Sequence, residues 1–160
     1  MPNSQPKEKL TFKIGLSAVF WDKFPEYSIL LNDVLIERNF IKFDIDPGGE
    51  QKVSPIKYIE FAAELEEDSK NRLQIRLENK EDNDTIENDD KTAIIKDLLL
   101  NINSIEIDDI SLEQLMWDSS EFVADDPARP VLKQCVNLGW NGTYILEFTS
   151  PFYLWLLENI

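Results

Sequence analysis

The segment R-L-Q-I-R-L-E, Arg72 to Glu78, puts Leu73, Ile75 and Leu77 on one side of an extended chain. Arg72, Gln74, Arg76 and Glu78 fall on the other. A period of two buries one face of a strand and wets the other, which no helix can do. The same rhythm recurs along the sequence and limits the fold more than any other feature. Ile59, Phe61, Ala63 and Leu65 alternate with Tyr58, Glu60, Ala62 and Glu64. Leu10 to Phe20 forms a first strand with a bulge at Gly15. Pro25 to Ile41 reads as a hairpin in which Tyr27, Ile29 and Leu31 share a face, Asn32-Asp33 turns, and Val34 to Ile36 begin the return. D-P-G-G-E at Asp46–Glu50 is a further turn. After Asp97, Leu98, Leu100 and Ile102 share a face, and a slip near Asn103 leads to Ile105 and Ile107, the mark of another bulge.

Downstream, V-L-K-Q-C-V-N-L and T-Y-I-L-E-F give two strands around G-W-N-G, with Tyr144, Leu146 and Phe148 facing one way. S-L-E-Q-L-M-W fits either a helical turn, with Ser111 and Gln114 as a capping box, or a loop and strand. Ser150 as N-cap and Pro151 at the first position open a short terminal helix. Its run Phe152–Leu157 is apolar all round, which calls for cover on every side, from Leu115–Trp117 or from another chain. Many short strands divided by turns indicate an all-β fold: a jelly-roll-like antiparallel β-sandwich with a short C-terminal helix. Residues 10–160 form a single sandwich domain and residues 1–9 a flexible polar tail.

Charge narrows function. There are 31 acidic and 16 basic residues among 160, a net charge of -15. Such a surface repels a nucleic-acid backbone and anionic lipid, and favours cations or a basic partner. The absence of histidine removes the usual general base and the commonest zinc ligand. One cysteine, Cys135, allows no disulfide within the chain and, with no base beside it, reads as a small apolar residue. No secretory signal is expected from M-P-N-S-Q-P-K-E-K-L. A membrane span is not expected either, because Phe152–Leu157 falls far short of the roughly 18 apolar residues required.

Between two strands lies E-N-K-E-D-N-D-T-I-E-N-D-D-K-T-A-I-I-K-D, Glu78 to Asp97. Such a run is either a solvated loop or a cation site. Its carboxylates repel one another, and a hard cation bound by carboxylate, amide and carbonyl oxygens would relieve that. The ligand spacing is not that of an EF-hand.

The succession L-Q-I-R-L-E-N, acidic loop, D-L-L-L-N-I-N-S-I-E-I-D-D resembles the calcium-dependent, xylan-binding type of carbohydrate-binding module. The hairpin P-E-Y-S-I-L-L-N-D-V-L-I-E and the stretch Tyr58–Asn79 resemble earlier parts of that family. The likeness runs from about Leu10 to Asp109, with departures at Leu98–Leu100 and at Asp109, where glycine is usual. It implies a Ca²⁺ site formed by Asn79, Asp82, Asp84 and Asp97. The whole chain, including its C-terminal part, resembles small virion proteins of tailed phages that reuse this sandwich. The resemblance implies a non-catalytic structural or adhesive component of a phage particle, assembled in the host cytoplasm. Its partners would be other virion proteins or a surface glycan, with oligomerisation through the C-terminal segment. A genuine carbohydrate-binding module and a small glycoside-acting enzyme are the other readings. Among four tryptophans, Trp140, set between Gly139 and Asn141-Gly142, is the expected sugar-stacking residue.

Overall fold

A computed structural model describes residues 6–160, so Met1–Gln5 of the expected tail lie outside the described residues. The strands, in order, are β1 (Lys7–Phe20), β2 (Glu26–Leu31), β3 (Val34–Phe40), β4 (Lys52–Val53), β5 (Lys57–Glu66), β6 (Lys70–Leu77), β7 (Ile86–Glu87), β8 (Ile94–Lys96), β9 (Leu99–Ile107), β10 (Ile110–Ser111), β11 (Ser120–Ala124), β12 (Leu132–Lys133), β13 (Asn137–Leu138) and β14 (Gly142–Thr149). Helix α1 is Leu115–Asp118 and α2 is Phe152–Asn159. The first strand starts at Lys7 rather than near Leu10.

Two antiparallel sheets pack face to face as a β-sandwich. One runs β10-β9-β1-β4, with β5 also paired to β1 and β13 to β9; the other runs β12-β11-β14-β6-β2-β3. The alternating segments form strands because each has one face to bury. Leu73, Ile75 and Leu77 of β6 and Tyr144, Leu146 and Phe148 of β14 enter the core. They meet Leu10, Phe12, Ile14 and Leu16 of β1 and Ile105 and Ile107 of β9 in one cluster.

Local chemistry sets the register. Asn32 and Asp33 have φ of 51° and 67°, the left-handed pair that a two-residue hairpin needs, and they join β2 to β3 as expected. Gly15 opposes Ser104 while Leu16 opposes Ile102, so Asn103 is the extra residue and both expected bulges are one feature. A Cβ on Gly15 would meet Ser104 Oγ at 2.6 Å.

Three expectations change. The strand expected over V-L-K-Q-C-V-N-L breaks into β12 and β13, which join different sheets, because Gln134 takes a φ of 55°. S-L-E-Q-L-M-W divides between β10 and α1, whose N-cap is Gln114 and not Ser111, so no capping box forms. α2 has Pro151, not Ser150, as its N-cap, so Pro151 is not its first helical residue, and the N–H of Phe152 is served from across the fold: Glu8 accepts from it at 2.9 Å. This helix is not covered all round. Phe152 and Trp155 pack edge-on against Phe148, while Leu154 and Leu157 are 57% and 69% exposed. One end of a sandwich covers only one stripe of a helix.

Candidate functional site

Pairing of Leu77 with Gly142, and of Gly142 with Ala124, brings the end of β6, the end of β11 and the start of β14 to one rim of the sandwich. β13 pairs with the start of β9, so the acidic segment, the loop after β11 and the G-W-N-G turn meet there. Close strand approach explains the second glycine of that turn. A Cβ on Gly142 would lie 2.5 Å from Val123 O and 2.7 Å from Ala124 Cα.

The acidic segment is ordered from within. It carries a 3₁₀ turn, Asp82–Asp84, and the small hairpin β7–β8. Asn79 donates to Phe24 O at 3.0 Å and accepts from Glu26 N at 2.8 Å. Asp97 Oδ1 accepts from Lys80 Nζ at 2.7 Å, from Thr85 Oγ1 at 2.8 Å and from Leu98 N at 2.9 Å. Asp84 is buried, and its Oδ2 lies 2.8 Å from Lys23 Nζ and accepts from Glu81 N at 2.7 Å. Asp82 stays exposed in the turn.

The calcium expectation is therefore corrected. Among the described residues, no three or more of the His, Cys, Asp and Glu side chains gather to hold a metal ion. The oxygens assigned to Ca²⁺ are divided among separate tasks. Asn79 staples a backbone, while Lys80 and Lys23 neutralise Asp97 and Asp84, so internal ammonium groups meet the charge that a cation would have met.

Beneath the same segment sits a carboxyl pair that the sequence did not single out. Asp22 Oδ1 and Asp84 Oδ1 are both buried without a donor when ionised. A proton on Asp22 supplies one. Burial, then the hydrogen bond with Asp84, pushes the Asp22 carboxyl up to about 6. Burial would raise Asp84 too, but the bond from Asp22 and the Lys23 ammonium hold it below the ordinary carboxylate range.

Above the rim lies an open groove of about 750 Å³. Trp140 and Phe122 give it an aromatic wall, and Asn137, Asn141, Thr85 and Lys80 line it with hydrogen-bonding groups. Trp140 has two close neighbours. Phe122 stacks at a centroid distance of 6.2 Å, and the Arg129 guanidinium sits 4.2 Å from the ring centroid. Trp140 is thus half-buried; Trp117, at 38%, is the more exposed indole. Asn141 closes the rim, accepting from Lys80 N at 2.7 Å and donating to Lys80 O at 2.8 Å. Arg76 Nη2, 2.8 Å from Asp125 Oδ2, ties down the loop that carries Arg129.

Of the residues the sequence assigned to Ca²⁺, Asp82 and Asp97 line the groove with Trp140, the residue assigned to a sugar, whereas Asn79 and Asp84 do not line it and serve the fold instead. Sequence reasoning missed Lys80, Arg129, Asn141 and Asp22. D-D-P-A-R-P signalled a loop, and nothing local aims Arg129 at the indole of Trp140, eleven residues further along the chain. No family model, curated protein or solved structure matches the chain.

Proposed function

We propose that this chain is a non-catalytic adhesive domain that binds a saccharide in the groove beside Trp140. In the fuller form of this reading the sandwich is a jelly-roll variant and the domain is a structural part of a tailed-phage particle. The likeness to small virion proteins supplies that setting. One observation carries the binding role: an open groove of about 750 Å³ joins an indole wall to amide, hydroxyl and charged groups. Sugars are bound by that combination, since a pyranose offers a C–H face to an aromatic ring and hydroxyls to polar side chains.

The non-catalytic reading rests on where the perturbed carboxyls lie. Acid and base partners need separated pKa values beside the substrate. The pair with such separation, Asp22 and Asp84, does not line the groove. The carboxylates that do line it include Asp97, held by Lys80, and Asp125, held by Arg76.

A glycan array tests the proposal. The protein should retain a defined set of oligosaccharides, Trp140→Ala should lose them at unchanged circular dichroism, and the bound sugar should be recovered intact by mass spectrometry. Retention of no glycan removes the saccharide role, and recovery of cleaved sugar replaces the adhesive reading with an enzymatic one.

A further inference from the structure

We infer that the groove selects a cationic amino sugar, a glycan of hexosamine units with free ammonium groups, which replaces the Arg129 side chain on Trp140. This deepens the saccharide reading above and rests on it.

Phe122 stacks against Trp140 at a centroid distance of 6.2 Å, and the Arg129 guanidinium sits over the ring at 4.2 Å from its centroid. Phe122 is fully buried, whereas Arg129 lies on an exposed loop. A sugar that stacks at the seat of the guanidinium therefore displaces Arg129. That exchange changes the charge of the site. The groove is lined by Glu81, Asp82, Glu87, Asp97, Asp125 and Asp126, with Lys80 and Arg129 as its cations. Lys80 is already spent, bound to Asp97 at 2.7 Å and to Gly139 O at 2.6 Å.

Displacing Arg129 with a neutral sugar removes the other lining cation. Asp82, Glu87 and Asp126, which no ion pair among the described residues holds, are left without it, while Glu81, Asp97 and Asp125 keep Lys23, Lys80 and Arg76. A uronate or phosphorylated sugar adds a further negative charge and is rejected. A hexosamine brings its own ammonium and restores what Arg129 supplied, so the exchange is balanced only for a cationic ligand. The guanidinium already seated on the ring marks the cation-accepting position. In the free protein it also keeps the indole covered.

Isothermal titration with three tetramers tests this: β-1,4-linked glucosamine, its fully N-acetylated counterpart, and a galacturonate. The glucosamine tetramer should bind about tenfold more tightly than the N-acetylated one, with the gap narrowing as salt rises, and the galacturonate should not bind. Arg129→Ala should tighten glucosamine binding several-fold by removing the resident cation. Trp140→Ala should abolish it.

Glucosamine binding that survives Trp140→Ala is attraction to the acidic surface at large, and overturns the inference. Should Trp140→Ala fail to fold, Arg129→Ala decides alone, and unchanged or weaker binding there also overturns it. Equal affinity for both tetramers removes the cationic preference but leaves the saccharide function standing. Failure of every saccharide, here and on the array, removes both.

Discussion

Asp22, two residues past the end of β1, meets Asp84 of the acidic segment through one proton, held while Asp22 is protonated. Folded Asp22 keeps its proton to about pH 6, against an ordinary value of 3.8, so between those limits the folded chain binds more protons than the unfolded one. Stability from this pair is then full at low pH and is lost as pH rises through 6. Asp84 works in the opposite sense, since its depressed value adds stability that disappears only in stronger acid. Asp22→Asn keeps a donor toward Asp84 at every pH. The variant should therefore gain on the parent above pH 6, by about 1 kcal/mol after discounting for the partial exposure of Asp22. Below pH 4 the two should converge. Paired urea melts at pH 4 and pH 7.5 measure the difference, and a constant gap at both values would mean that no proton is shared.

Elements were legible where local chemistry decides them. Asn32-Asp33 could be read because the left-handed conformation is a property of those residues, and the bulge at Asn103 because a slip in phase shows in the apolar spacing. β12 and β13 could not be read. Their short pairings belong to different sheets, and the break at Gln134 depends on partners far away in sequence. The site divides in the same manner. A loop tryptophan announces itself, but the choice of Lys80 over a metal as the partner of Asp97 is made by the fold.

α2 is the element whose burial the sequence overstated, because apolar side chains all round a helix say nothing of how much surface is available to cover them. Its inner stripe should carry the stability. Trp155→Ala should cost about 3–5 kcal/mol, whereas Leu157→Ser, on the exposed side, should stay within about 0.5 kcal/mol. Equal losses in urea denaturation would show that the outer stripe is covered too, and would reopen assembly through this end.

At the scale of the whole molecule, charge and compaction oppose each other. The net charge of -15 is confined to a sandwich, and unfolding lets those charges separate. The ion pairs do not remove the surplus, and most are exposed: Lys133–Glu121, for instance, has side chains 72% and 39% accessible. Such pairs contribute about 0–1 kcal/mol each. The better buried ones, Lys80–Asp97, Lys23–Asp84 and Arg76–Glu78, are those that salt screens least. Salt should thus relieve more repulsion than it takes from attraction. Raising the ionic strength from about 10 mM to about 150 mM shortens the screening length from roughly 30 Å to 8 Å. Relief of about 2 kcal/mol would raise the melting temperature by roughly 4–8 °C for a chain of this length. Sodium, potassium and choline chlorides should act alike in calorimetric scans, since screening depends on ionic strength and not on the identity of the cation. A fall in melting temperature would put the ion pairs above the surplus charge. A rise with sodium or potassium that choline does not reproduce would mean that the acidic rim takes small cations directly, against the assignment of its charge to Lys80 and Lys23.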